Sequence, residues 1–219
     1  MNNQQTIEIQ ESDGLIVVDM QNDFLPGGAL AVVDGDKIIP GINFLIEKFF
    51  TKHARVILTQ DWHPKDHKSF ASQYSDKNPF DVIENTPGIG PVLWPDHCVP
   101  GTEGAEIHNS ISQKRAHLII RKGFNPNIDS YSTFRENDGK TDTGLAGYLQ
   151  NSGVKRIFIC GLAYDYCVFW SAKDGVEKGF ETIIIPELSK AINEETANKA
   201  TEEMIKKGIK FLKLNDFEK

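Results

Sequence analysis

The sequence predicts an α/β protein: a doubly wound, mostly parallel six-stranded sheet with helices on both faces. Three observations predict it. Short, continuous apolar runs recur along the chain, as expected of strands buried on both faces. Segments with helical apolar spacing lie between them, and such alternation implies parallel strands joined by right-handed crossovers. The length, 219 residues, suits one large domain that buries its core without staples.

The elements follow in order. Gly14-Leu15-Ile16-Val17-Val18-Asp19-Met20 is an apolar run ending at an acid, and reads as a central strand. From Lys37 to Phe50, Ile38, Ile39, Ile42, Leu45, Ile46 and Phe49 fall at helical spacing. Arg55–Thr59 is a second strand and His117–Arg121 a third. Asp142 to Asn151 reads as a helix closed by Gly153. Arg156–Cys160 is the fourth strand, followed by an amphipathic helix from Val168. Thr182–Ile185 is the fifth strand, Glu194–Lys207 a polar helix, and Ile209–Leu214 the sixth strand. One domain over residues 1–219 is expected, with no repeat and no linker. The stretch from Asp61 to about Ser110 stands out, being rich in Pro, Gly, Asp and His and poor in periodicity. Irregular stretches of that length are usually functional, and this one leaves the carboxyl edge of the sheet, where ligands of open α/β sheets bind.

Composition excludes several classes. A formal net charge of −7 argues against nucleic acid or an anionic membrane as partner. No apolar run is long enough to span a bilayer, and Met1–Ser12 lacks a signal-peptide pattern. Three cysteines cannot form a complete disulfide framework, so the thiols read as reduced and the expected address is the cytoplasm. Self-association stays open.

Cys167 is the residue that most directly suggests chemistry. It lies in Gly161-Leu162-Ala163-Tyr164-Asp165-Tyr166-Cys167-Val168, between a strand and a helix. Unpaired N–H groups and the helix dipole favour a thiolate in the first turn of a helix. A cysteine merely packed under the helix fits the same pattern. Cys160, inside an apolar strand, reads as core, and Cys98 as packing. Asp19 and Lys122 follow the first and third strands, so an acid, a cation and a thiol can converge, which fits nucleophilic amide hydrolysis. In extended backbone Asp61 and His63 project the same way, and His97 can close a site of two imidazoles and a carboxylate. That donor set suits Zn²⁺, Fe²⁺ or Mn²⁺ better than Ca²⁺. The residues alone reach a cysteine hydrolase with a metal option.

Six segments in order then resemble the nicotinamidase/pyrazinamidase group of the isochorismatase-like cysteine hydrolases. They are Val17–Phe24, Asp61-Trp62-His63-Pro64, Trp94–Val99, Lys122-Gly123, Tyr131-Ser132-Thr133-Phe134 and Gly161–Val168. The resemblance implies hydrolysis of nicotinamide, and of pyrazinamide, for NAD salvage. It implies Cys167 as nucleophile, Asp19 as general base and acid, and Lys122 as the third triad member. Asp61, His63 and His97 would hold one divalent metal, zinc first with iron or manganese as alternatives, and His67 or Ser69 as the variable further position. Phe24, Leu30, Trp94 and Tyr131 would wall the pyridine ring. A cis peptide would precede Ala163, with the Ala163 and Cys167 N–H groups forming an oxyanion hole. Two rivals remain: a metal-free amidohydrolase of the superfamily acting on a carbamoyl or ureido substrate, and a non-catalytic binding module.

Overall fold

In the computed structural model residues 7–84 and 86–217 are described. Of the domain expected over 1–219, residues 1–6, 85, 218 and 219 lie outside them. The elements run β1 Asp13–Val18, α1 Ile39–Thr51, β2 Arg55–Asp61, β3 Leu118–Lys122 and α2 Leu145–Asn151. They continue with β4 Arg156–Leu162, α3 Phe169–Glu177, β5 Glu181–Lys190, α4 Glu194–Lys206 and β6 Lys210–Phe211. The six strands form one sheet in the order β3-β2-β1-β4-β5-β6, every pair parallel.

Each inner strand is apolar on both faces, and successive side chains serve different layers. Leu15 and Val17 pack with Val56, Leu58, Phe158 and the buried stripe Ile42, Leu45, Ile46 and Phe49 of α1. Ile16 and Val18 pack the other way, with Ile57, Ile157, Ile159 and Ile184 against Leu145, Leu149, Ala172 and Met204 of α2, α3 and α4.

The chain order reverses at β1: β2 and β3 extend to one side, β4, β5 and β6 to the other. This switch point lies between β1 and β4, and there the loops leaving adjacent strand ends diverge and open a crevice. Register brings the ends level, since Val18 pairs with Gly161 and Asp61 with Lys122. Gly161 permits this approach: at φ 115, a Cβ there would stand 2.2 Å from the Val18 carbonyl oxygen.

Several boundaries differ from expectation. β1 stops at Val18, because Asp19 turns to φ 46. α2 starts at Leu145, after Gly144 at φ 92, while Asp142 instead bridges to Arg135. β5 resumes pairing beyond Pro186, matching Gly161 with Ser189 after a register shift in β4. β6 keeps two residues, because the chain then turns and seats Phe217 against Phe158, ring centroids 5.7 Å apart. The stretch from Asp61 to Ser110 carries short 3-10 turns at Ala71–Gln73 and Glu103–Ala105. Trp94 pins it, donating its N–H to Ser69 O at 2.8 Å and accepting from Ala71 N–H at 2.8 Å.

Candidate active site

Asp19 leaves the end of β1 in left-handed backbone, which turns its carboxylate under the neighbouring strand ends. Its N–H donates to Thr59 Oγ1 at 3.1 Å, and its Oδ1 accepts the Thr59 hydroxyl at 2.5 Å. Lys122, the last residue of β3, is buried beside it, Nζ 2.9 Å from Asp19 Oδ2. The ammonium donates to Asp61 Oδ1 and to Ser130 O at 2.8 Å, and lies 3.4 Å from Cys167 Sγ. Asp19 Oδ2 is buried and meets the Lys122 ammonium as an ion pair, with no further donor on it. The Asp19 carboxylate also lies against the thiol: Asp19, Asp61 and Cys167 offer ligand atoms within 4.8 Å of one another.

Cys167 lies just ahead of α3, in a single π-turn, Tyr164–Val168. The Val168 and Tyr166 N–H groups both donate to Ala163 O, at 3.0 and 3.1 Å. The Leu162–Ala163 peptide is cis, as the resemblance implies. A thiolate favoured by a helix terminus is not the resting state. Burial pushes the Cys167 thiol well up, Lys122 opposes it, and Asp61 and Asp19 add to the rise. Burial also raises Asp19, against the pull of Lys122. Asp61 ends well below the usual carboxylate range: burial would lift it, but Lys122 and His63 outweigh that. Burial alone would lower Lys122, yet Asp19 and Asp61 carry it well above an ordinary lysine. The resting arrangement is thus a protonated thiol, an ion-paired lysine and a base of enhanced proton affinity. Cys160 is pushed up to about 12 by burial, and buried Cys98 well above its usual range by burial and the acids around it; of the three thiols, it is Cys167 whose sulfur the Lys122 ammonium contacts.

Asp61 closes β2 and His63 follows two residues on, both inward, while Trp62 points outward beneath the Arg121 guanidinium at 3.7 Å. The imidazole orientations are fixed from behind: His63 Nδ1 donates to Gly123 O at 2.8 Å, and His97 Nδ1 to Pro95 O at 2.8 Å. Both Nε2 atoms therefore face Asp61 Oδ2, at 3.7 and 3.8 Å. Such backing is how metal-binding histidines are oriented. Gly123 sits at φ 73, and a Cβ there would stand 2.3 Å from His63 Cε1. His67 and Ser69 are engaged with each other. His67 Nδ1 accepts from Ser69 Oγ at 2.7 Å and from Ser69 N–H at 3.2 Å, leaving Nε2–H to donate to Ile128 O at 3.2 Å. Burial, with His63 beside it, lowers His67 to about 4. Its ring nitrogens are committed to Ser69 and Ile128, with neither turned toward Asp61.

Cys167, Asp61, His63 and His97 open into one small cavity. Phe24, Leu30, Trp94 and Tyr131 line it together with Ala163 and Cys167. Trp94 Nε1 donates to Tyr131 OH at 3.2 Å, and Tyr166 stands edge-on to both rings, at 4.9 and 5.4 Å. The result is an aromatic-walled slot with a thiol on one side and two imidazoles on the other. Three lining residues were missed by sequence reasoning: Asp129, Tyr166 and Ile192. Tyr166 was within reach, one residue before the cysteine. Asp129 sits in a turn-rich stretch where acids are ordinarily solvated, and nothing marks Ile192.

The isochorismatase domain family matches residues 13–216. A nicotinamidase of Acinetobacter baylyi is 49% identical over 197 residues, 89% of each chain. A nicotinamidase/pyrazinamidase structure from Acinetobacter baumanii superposes with a TM-score of 0.91 at 44% identity, covering 95% of this chain and 99% of that one. A Pyrococcus horikoshii pyrazinamidase solved in complex with zinc gives a TM-score of 0.76 at 40% identity, covering 92% and 99%. The sheet order, the convergence of Asp19, Lys122 and Cys167 at the strand ends and these similarities agree: the chain belongs to the isochorismatase family of hydrolases, in its nicotinamidase branch.

Proposed function

We propose that this chain hydrolyses nicotinamide to nicotinate and ammonia through a thioester on Cys167, in NAD salvage and in the cytoplasm, and that it also accepts pyrazinamide. The observation that carries the reading is the buried Asp19 carboxylate beside a buried thiol, with Lys122 contacting Asp19, Asp61 and the sulfur at once. Asp19 takes the thiol proton, and the sulfur attacks the carboxamide carbon. The oxyanion rests on the Ala163 and Cys167 N–H groups, each worth on the order of 3 kcal/mol in comparable sites. The C–N bond then breaks, and Asp19 returns its proton to the departing ammonia. Water, losing a proton to Asp19, attacks the thioester, and the thiol is restored as nicotinate leaves. Throughout, Lys122 compensates charge and holds Asp19 in place.

The residues fit a divalent metal. Asp19, Asp61 and Asp129 are all buried, Lys122 pairs with the first two, and buried charge is normally paired or metal-bound. Asp61, His63 and His97 would hold the ion, with ligand atoms within 4.8 Å of one another and both histidines backed by carbonyls. Zinc is favoured by this donor set and by the zinc-bound Pyrococcus horikoshii relative. When bound, the ion would supply a Lewis-acid anchor for the ring nitrogen.

The discriminating experiment is kcat/KM for nicotinamide, pyrazinamide and benzamide on metal-replete protein. Benzamide fits the Phe24 and Trp94 walls but lacks the ring nitrogen, so it should fall about 10⁴-fold behind, the scale of a required polar partner left unmet. Benzamide turned over as well as nicotinamide would remove the anchored reading. Hydrolysis of a ureido substrate instead would favour a metal-free amidohydrolase.

A further inference from the structure

Asp129 is buried in the cavity and takes no part in the chemistry above. Its position is tightly determined. The backbone N–H donates to Gly88 O at 2.7 Å, and the carbonyl accepts from Asn137 N–H at 2.8 Å. Oδ1 accepts the Ser130 N–H at 2.8 Å, which sets the plane of the carboxylate. Oδ2 is left buried with no donor among the described residues. A carboxylate oxygen shut away from water costs free energy unless a donor or cation meets it.

What it faces is informative. Asp129 Oδ1 lies 3.8 Å from His63 Nε2, about the distance that separates His63 and His97 from Asp61. With His63 Nδ1–H committed to Gly123, Nε2 is left to give its lone pair to a bound cation and has no proton for Asp129. The carboxylate then stands beside the ion's shell with Oδ2 still lacking a donor, and a group on that shell can supply one. Direct coordination to the same ion does not fit. Asp129 groups within 4.8 Å with His63 and His67, but not with Asp61 and His97. Ligand atoms about 2.1 Å from one ion are at most about 4.2 Å apart.

The geometry points to Asp129 as the outer-sphere partner of the divalent ion, its Oδ2 accepting a hydrogen bond from a water that completes the shell of Asp61, His63 and His97. The inference rests on reading those three residues as a metal centre. It makes Asp129 a positioning residue: it holds that water, and through it the ion, in one orientation.

The test is competition of zinc against a chelator on the wild type, Asp129→Asn, Asp129→Ala and Asp61→Ala, with melting temperatures measured with and without zinc. Asn keeps the acceptor for Ser130 N–H but places an amide NH₂ where Oδ2 stood, and water on a cation can only donate. Zinc affinity should fall about 10- to 100-fold in both Asp129 variants, the scale of outer-shell partners. The metal-free melting temperature of Asp129→Asn should stay near wild type, and its rise on adding zinc should shrink. If Asp129→Ala does not fold, Asp129→Asn decides. Zinc affinity within about twofold of wild type in Asp129→Asn, while Asp61→Ala loses zinc, would overturn this inference alone. A wild type that takes up no zinc, or an Asp61→Ala protein that binds it equally well, would overturn the metal centre and the role of Asp129 together.

Discussion

At the scale of single residues, the site is a problem of charge in a dry place. Two acids and a lysine converge under Cys167, and their competition decides which group holds a proton. Burial raises Asp19, Lys122 lowers it, and the Thr59 hydroxyl lowers it further. Asp19 must be ionised to accept the thiol proton, so activity is present above its pKa and lost as pH falls through it. The acid limb of kcat/KM should therefore lie above the ordinary carboxylate range. Thr59→Val removes one bond that favours the charged form, so the limb should move to higher pH; a limb that stays put or moves down would detach Asp19 from the proton transfer. The proposed triad was legible because each member ends or follows an apolar run whose edge could be read. Asp129 was not: a single acid among Pro, Asn and Ser in 123–130 looks like a solvated turn, and only the fold turns it inward.

At the scale of elements, the strands carry the site and the connections complete it. The apolar runs were legible as strands, while their ends were set by contacts that periodicity does not show. β5 continues past Pro186 and Glu187 because Ser189 and Lys190 find partners on β4. The π-turn ahead of α3 was hidden because its apolar spacing resembles that of a helix start. Gly123 shows the link between element and site: leaving β3 at φ 73, it turns its carbonyl onto His63 and leaves the ring the space a Cβ would take. Gly123→Ala should push His63 off its line and weaken zinc binding by about tenfold or more. Left-handed backbone without glycine costs on the order of 1 kcal/mol, too little to unfold the domain. Chelator competition checks this, and unchanged zinc affinity would show that the His63–Gly123 contact has no bearing on the ion.

At the scale of the whole molecule, stability and chemistry occupy different ends of the sheet. At the amino edge Arg156 clasps Asp13 with two bonds, at 2.9 and 2.6 Å, joining β1 to β4. Two apolar layers fill the middle, and the site lies on the carboxyl edge above them. Removing the metal should therefore leave the far-ultraviolet circular dichroism unchanged and lower the melting temperature only by the lost ligand linkage. Loss of the fold on chelation would make the ion structural.

The central claim is that Cys167 forms a nicotinoyl thioester, and acid-quenched mass spectrometry of metal-replete protein mixed with nicotinamide tests it most directly. The peptide containing Cys167 should carry one nicotinoyl group while ammonia is released, and Cys167→Ala should lose both, its ammonia release falling by at least about 10⁴-fold, as expected when a covalent nucleophile is removed. Ammonia release by Cys167→Ala near the wild-type rate, or the nicotinoyl group on another residue, would contradict the account.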